Sequence, residues 1–255
     1  MKFRFDKTLM IRSVALFLAY LMLAVTSIAL SIPKAESEVQ EQPKIRYEEY
    51  MIESVPVLNQ DELKAGCEIY ACTVVLKYLG FDITEKEFAD NYLIAKPITY
   101  VEDYYRYGPD MHSAYAGDAY EGYGIYAPAM AKSMNNYLKA MKSGLKAYDL
   151  KDVEFDSLCD DYVVKNIPVM VWATTYMLEP YVKAQWTIDY VDENAESEIG
   201  DTEEWFQNEH CLVLIGFDKE NYYFCDSVYG KITAYEKEIV KTRYAQLFSQ
   251  AIVVK

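Results

Sequence analysis

Histidine is scarce in this sequence, since its 255 residues include only two, His112 and His210. Cysteine is limited to five residues, and no two of them have the C-x-x-C spacing of a structural zinc site. We therefore expect no metal centre and no cofactor. If the chain is exported, the odd number of cysteines leaves at least one thiol without an internal disulfide partner.

Basic residues are also few, with 25 Lys and Arg against 40 Asp and Glu, which gives a formal net charge of −15. Such an acidic surface would repel phosphates, so we expect no nucleic-acid partner. The length and a hydrophobic content of 52% predict one sizeable folded domain with an appendage.

Residues 13–31 contain no charged side chain, and four basic residues precede them: Lys2, Arg4, Lys7 and Arg12. This pattern predicts a signal peptide or a retained membrane anchor over residues 1–32. The basic flank would stay inside, so the rest is expected to be extracytoplasmic, either secreted or anchored to the outer face of the cytoplasmic membrane. Residues 33–50 read as a polar acidic linker, and residues 51–255 as the folded domain.

The stretch from Gln60 to Gly80 predicts a loop followed by an amphipathic helix that begins at Cys67. Gly80 would end the helix, because glycine adopts the left-handed cap conformation at little cost. A thiol at a helix N-terminus feels the positive end of the helix dipole. We therefore expect a lowered pKa for Cys67, which favours the nucleophilic thiolate.

Helical patterns dominate the first part of the chain and strand patterns the second. Helices are predicted over 85–93, 128–144 and 155–165, with a long ordered loop over 95–126. Strands are predicted over 169–173, 186–191, 210–217, 222–228 and 251–254, with an acidic loop over 192–209 and a helix near 237–248. This order predicts an α+β fold, with an N-terminal helical half packed on a C-terminal antiparallel sheet.

A nucleophilic cysteine needs a base and a group that orients the base. His210 is favoured over His112 because it begins a strand, whereas His112 lies in the predicted loop. Asp226, on the next strand, could orient His210, and the Gln60 amide could stabilise an oxyanion with the Cys67 backbone N–H. Cys211 and Cys225 would face the opposite side of the sheet from this pair.

The hairpin between these two strands must meet a geometric condition if His210 and Asp226 are to contact each other. With a regular four-residue loop, His210 and Asp226 would point to opposite faces of the sheet. A three- or five-residue loop, or a bulge that shifts the register by one residue, would bring them to the same face.

Four segments of the sequence resemble the peptidase C39-like family of papain-like cysteine peptidases. They are VPVLNQDELKAGCEIYACTVVLKYLG, EHCLVLIGFDKENYYFCDS, and the shorter segments over residues 116–128 and 171–175. The resemblance implies a papain-like fold with Cys67 as nucleophile, His210 as base, Asp226 as its orienting acid and Gln60 as the oxyanion glutamine. Ser227 departs from the family, which usually has proline after the aspartate.

The predicted function is that of an exported thiol peptidase, which hydrolyses a peptide amide through a cysteine acyl-enzyme. Two alternatives stay open: an amidase or transpeptidase of cell-wall stem peptides on the same residues, and a non-catalytic binding module of the same fold. The expected partner is a peptide or cell-wall peptide substrate, with membrane attachment through residues 13–31 if the anchor is retained.

Overall fold

A computed structural model describes residues 47–102 and 105–255 of the chain. The predicted export segment and residues 33–46 of the predicted linker lie outside these ranges. Within the described part, no helix is both long enough and apolar enough to span a bilayer.

Five α-helices lie within the described residues: α1 Cys67–Tyr78, α2 Glu85–Asn91, α3 Ala127–Ala140, α4 Phe155–Asp161 and α5 Lys237–Gln246. The predicted starts of α1 and α2 are confirmed, and the hydroxyl of Thr84 accepts the backbone N–H of Glu87 at the start of α2. Gly80 has the predicted positive φ, at 89°, just beyond α1.

The strands before the centre of the described chain are short: β1 Tyr50–Met51, β2 Ala95–Lys96, β3 Thr99–Val101, β4 Tyr105–Pro109, β5 Tyr115–Ala116 and β6 Ala147–Lys151. The later strands have five residues or more: β7 Val169–Thr174, β8 Val182–Tyr190, β9 Thr202–Phe206, β10 Glu209–Phe217, β11 Asn221–Asp226, β12 Lys231–Glu236 and β13 Gln250–Val254. Two short 3-10 helices, Val163–Lys165 and Thr175–Met177, flank β7.

The main sheet is antiparallel and has the order β12-β11-β10-β7-β13-β6, with β1 also paired to β10. Helix α1 covers one face, where Tyr70 and Val74 border a small cavity with Cys211 and Cys225. Helices α4 and α5 cover the other face, where the Phe155 ring contacts Tyr222 and Tyr244. The core therefore consists of two apolar layers, one on each side of this sheet.

The β10–β11 hairpin contains the predicted register shift. Phe217 pairs with Tyr222, as a regular four-residue loop would require, but Leu214 pairs with Phe224. Residue 215 is therefore an extra residue in β10, which is the arrangement of a β-bulge. The prediction of a bulge that shifts the register by one is confirmed.

Several sequence expectations are corrected by the structure. The predicted loop over 95–126 contains four short strands, and the predicted acidic loop over 192–209 contains β9. The strand β6 was not predicted, although it lies in the main sheet. Because β1 and β6 precede the midpoint of the domain and α5 follows it, the division into a helical first half and a sheet second half is only approximate.

Helix α1 is more enclosed than an amphipathic helix. Every residue from 67 to 76 is buried, including Ile69, Cys72 and Leu76, which lie on the side of the helix away from the predicted apolar face of Tyr70, Val74 and Tyr78. The prediction of one buried face was therefore wrong. The helix runs through the interior, and its first turn is surrounded by other elements.

Candidate active site

Cys67 is the first residue of α1, and its side chain is 9% exposed. Its Sγ donates a hydrogen bond to Glu68 Oε2 at 3.2 Å. The backbone N–H of Cys211 also interacts with the sulfur. Because Cys211 follows His210 directly, this contact places the Cys67 sulfur beside the backbone of the predicted base.

The environment of this thiol opposes ionisation. Burial raises the pKa of Cys67 well above its usual value, and the nearby carboxyl groups of Glu68 and Glu209 raise it further. The N–H of Cys211 acts in the opposite direction but does not outweigh them. The prediction of a lowered thiol pKa, based on the helix dipole, was therefore wrong for this state, in which Cys67 is a thiol that donates to Glu68.

His210, the second residue of β10, and Asp226, the last residue of β11, form a buried pair. Nε2 of His210 lies 2.9 Å from Asp226 Oδ1, and both side chains are at most 2% exposed. Asp226 also accepts the backbone N–H of Val228 and the hydroxyl of Tyr235. Burial raises the pKa of Asp226, but the hydrogen bond and charge of His210 outweigh it, so this pKa lies below its usual value.

Because Asp226 is ionised and accepts from Nε2, the other ring nitrogen, Nδ1, is left to take up a proton. Within the described residues, no hydrogen bond joins His210 to Cys67, since each side chain bonds to a carboxyl group instead. His210, the predicted base, thus bonds directly to Asp226, its predicted acid. Cys67, the predicted nucleophile, contacts the β10 backbone at Cys211, the residue after His210.

Gln60 lies in the loop before α1, where its amide makes three hydrogen bonds. Nε2 donates to the carbonyls of Leu63 and Lys64, each at 3.0 Å, and Oε1 accepts the Ser227 hydroxyl at 3.1 Å. The backbone N–H of Gln60 donates to the Ser227 carbonyl as well. Both amide hydrogens are therefore in use, and Ser227, which replaces the usual proline, fixes the orientation of the amide.

Two acidic residues of the site, Glu68 and Glu209, were missed by the sequence analysis. Glu68 is fully buried, and its Oε1 accepts the backbone N–H of Ile125 at 2.9 Å. Burial raises its pKa to about 6. Glu209 is 9% exposed, and burial followed by the charge of Glu68 raises its pKa well above the usual value. Their signal in the sequence was position alone, because Glu68 directly follows the predicted nucleophile and Glu209 directly precedes the predicted base.

His112 takes no part in this site. Its Nδ1 lies 3.3 Å from Asp110 Oδ1, and its ring packs against Tyr126. It borders a cavity of about 470 Å³ with Phe248, and none of Gln60, Cys67, His210 and Asp226 borders that cavity. The preference for His210 over His112 is consistent with these positions.

Exposed aromatic rings lie beside the strand ends that carry the His210–Asp226 pair. Tyr176 follows β7 and Tyr229 follows β11, and their ring centroids are 5.0 Å apart. They are 48% and 43% exposed. Tyr176 adopts a positive φ of 58°, a conformation that is unusual for a bulky side chain. The two rings form an apolar rim that is open to solvent.

Comparison with known proteins gives one family and a fold. No curated protein matches the sequence. A C39-like peptidase from Bacillus anthracis has a similar crystal structure, with a TM-score of 0.66 and 24% identity, covering 82% of this chain and 98% of that one. At this identity the likeness extends to the fold alone.

A second solved structure is the peptidase domain of Streptococcus ComA, a bifunctional ABC transporter of a quorum-sensing pathway. It has a TM-score of 0.43 and 12% identity, covering 78% of this chain and 97% of that one. The family model described as Peptidase_C39 like family matches residues 52–252, which is most of the sequence. The chain belongs to the Peptidase_C39 like family.

Proposed function

We propose that this chain is a cysteine peptidase in which Cys67 is the nucleophile, His210 the general base and Asp226 the residue that orients the base. The observation that carries the proposal is the buried 2.9 Å contact between His210 and Asp226, one residue from the N–H that contacts the Cys67 sulfur. A buried histidine oriented by an ionised aspartate is the arrangement that thiol and serine hydrolases use to remove a proton.

The chemistry begins when Cys67 turns from Glu68 and gives its thiol proton to Nδ1 of His210. The thiolate then attacks the carbonyl carbon of the substrate amide, and the carbonyl oxygen becomes an oxyanion. His210 returns the proton to the leaving amine as the C–N bond breaks, which leaves a thioester on Cys67. Water, activated by His210, hydrolyses this thioester and regenerates the thiol.

Gln60 would act on the oxyanion together with the backbone N–H of Cys67. In the resting arrangement its Nε2 donates to two backbone carbonyls, so one of these bonds has to be exchanged for a bond to the substrate. Ser227 would keep the amide nitrogen on the correct side, because its hydroxyl holds the Gln60 oxygen. Ser227 would then be a positioning residue.

The proposed substrate is a peptide chain, and the rim formed by Tyr176 and Tyr229 supports binding of an apolar or aromatic side chain next to the scissile bond. We also propose that the domain acts outside the cytoplasm, on the basis of the basic and uncharged segments that precede it. Protease added to intact cells should then cleave the domain, and complete protection would contradict this location.

The test is labelling by an electrophilic probe that requires an activated cysteine. The wild-type chain is compared with Cys67→Ala and His210→Ala, and Cys72→Ala serves as the matched control for a buried thiol on the same helix. We expect labelling in the wild type and the control, and none in the other two variants. Equal labelling of wild type and His210→Ala would refute the role of the base. Retained labelling in Cys67→Ala would refute the role of the nucleophile.

A further inference from the structure

Three metal-ligating side chains converge at the first turn of α1. The sulfur of Cys67 and one carboxylate oxygen each from Glu68 and Glu209 all lie within 4.8 Å of one another. Sγ and the Glu68 oxygen are already only 3.2 Å apart. Ligands at the corners of a zinc tetrahedron, with bonds of about 2.0–2.3 Å, are separated by roughly 3.3–3.7 Å. The three ligand atoms therefore lie close to the separations that one ion requires.

The second indication of a ligand is an unpartnered oxygen of Glu209. Its Oε1 is buried and accepts no hydrogen bond from any of the described residues. The whole residue is only 9% exposed. A buried polar atom without a partner costs about 1–3 kcal/mol, so native structures rarely retain one without a reason. The Glu68 carboxyl, by contrast, is satisfied on both oxygens, by Ile125 and Cys67.

Gly124 shows that the backbone is shaped around both carboxyl groups. A Cβ at this position would come within 2.8 Å of Glu68 Oε1 and 3.2 Å of Glu209 Oε2. A larger residue would have to displace these two oxygens. Both carboxyl groups therefore lie against the same backbone position.

From this geometry we propose that Cys67, Glu68 and Glu209 bind a divalent zinc-like cation, and that the bound ion blocks the thiol. A sulfur ligand favours Zn²⁺ over Mg²⁺ and Ca²⁺, which prefer oxygen ligands alone. The thiol proton, and the proton carried by a neutral Glu209 carboxyl, leave to solvent as the bonds to the metal form. The ion offsets two of the three negative charges that the thiolate and the two carboxylates carry. It also gives the Glu209 carboxylate a partner. The inhibitory consequence rests on the proposed function, whereas the binding does not.

The first test uses the full chain with Zn²⁺ alone, titrated calorimetrically, and with Co²⁺ as a spectroscopic substitute. We expect one ion per chain and a thiolate-to-cobalt charge-transfer band. Glu209→Gln and Cys67→Ser should each weaken binding by at least about 10²-fold, since even outer partners of a metal site contribute 10- to 100-fold. Glu203→Gln and Cys72→Ser are matched controls, because they change an acid and a thiol outside the cluster.

A second measurement needs no variant, so it holds even if Glu209→Gln fails to fold. Zn²⁺ should protect Cys67 of the wild-type chain from alkylation, as read by peptide mass, and a chelator should reverse the protection. The proposal is overturned if saturating Zn²⁺ gives no protection, or if folded Glu209→Gln binds the ion as tightly as wild type. Zinc binding without any amide hydrolysis would refute the proposed function and leave this site standing.

Discussion

Replacing the acid beside the nucleophile should make the thiol more reactive. In Glu68→Gln, the charge 3.2 Å from the Cys67 sulfur disappears, while an amide of the same shape can still bond to Ile125. With an effective dielectric constant of about 20, two unit charges at that distance repel by about 5 kcal/mol, which corresponds to between three and four pKa units. Screening by nearby dipoles reduces this, and we take about 2 units as the lower limit.

The expected change in rate follows from that shift. A lower thiol pKa increases the thiolate fraction but makes each thiolate less nucleophilic, with a Brønsted slope of about 0.4–0.5. A fall of about 2 to 4 units then accelerates alkylation by roughly 10- to 100-fold. The effect should appear above pH 7, where Glu68 is ionised in the wild type because its pKa is about 6.

The assay is the rate of Cys67 alkylation by iodoacetamide, measured by mass spectrometry at pH 7.5 in the presence of a chelator. Glu62→Gln is the matched control, because it removes an exposed acid five residues before Cys67 and should leave the rate unchanged. If Glu68→Gln reacts no faster than wild type, the carboxylate does not hold the thiol proton, and our account of the resting state is wrong.

Three further predictions concern the neighbouring groups. Asp226→Asn should lower the rate of substrate hydrolysis about 10³- to 10⁴-fold at pH 7, because a side-chain amide cannot hold His210 in the required tautomer. An unchanged steady-state rate would contradict the proposal that Asp226 orients His210. Gln60→Ala should slow acylation about 10²-fold in single-turnover kinetics while leaving Cys67 labelling intact, and loss of labelling would instead make Gln60 a structural residue. Glu203→Gln should be more stable than wild type at pH 8 by up to about 3 kcal/mol, because burial raises the pKa of Glu203 from 4.5 to about 7. The difference in unfolding free energy should vanish below pH 4.5, where Glu203 of the wild type is protonated in both the folded and the unfolded state. A difference that stays constant from pH 4 to pH 8, as measured by urea unfolding, would refute this prediction.

The hairpin illustrates what the sequence could and could not specify. For His210 and Asp226 to face the same side of the sheet, the register had to shift by one residue relative to a regular four-residue loop. A three-residue loop, a five-residue loop and a bulge all met that condition, and the sequence did not choose among them. The structure places the bulge at residue 215, before Gly216. A Cβ at Gly216 would lie 2.7 Å from the Tyr50 carbonyl, so the glycine is needed where β1 approaches. That contact joins residues far apart in the sequence, and local patterns do not contain it.

The chemistry of Cys67 was less predictable than its position. The loop–helix junction indicated Cys67 correctly as the first residue of α1, because caps and periodicity are local properties. The direction of its pKa shift depends on burial and on Glu209, which is distant in the sequence. Glu68, although it directly follows Cys67 in the sequence, was missed as a second cause that raises this pKa. The strands over 95–116 were missed for a different reason, because they are too short to show a period of two.

The way in which the cluster around α1 is held together has a consequence for folding kinetics. Glu68 is tied to Ile125, the Ile125 carbonyl accepts Trp172 Nε1, and the Cys67 sulfur contacts the N–H of Cys211. These contacts close chain segments of about 50 to 140 residues, and closing such long segments is slow. The buried environment of Cys67 therefore arises only when the whole domain is assembled. Until then Cys67 lacks the burial and the contact with Glu209 that raise its pKa, so its thiol ionises more readily in the unfolded chain than in the assembled domain.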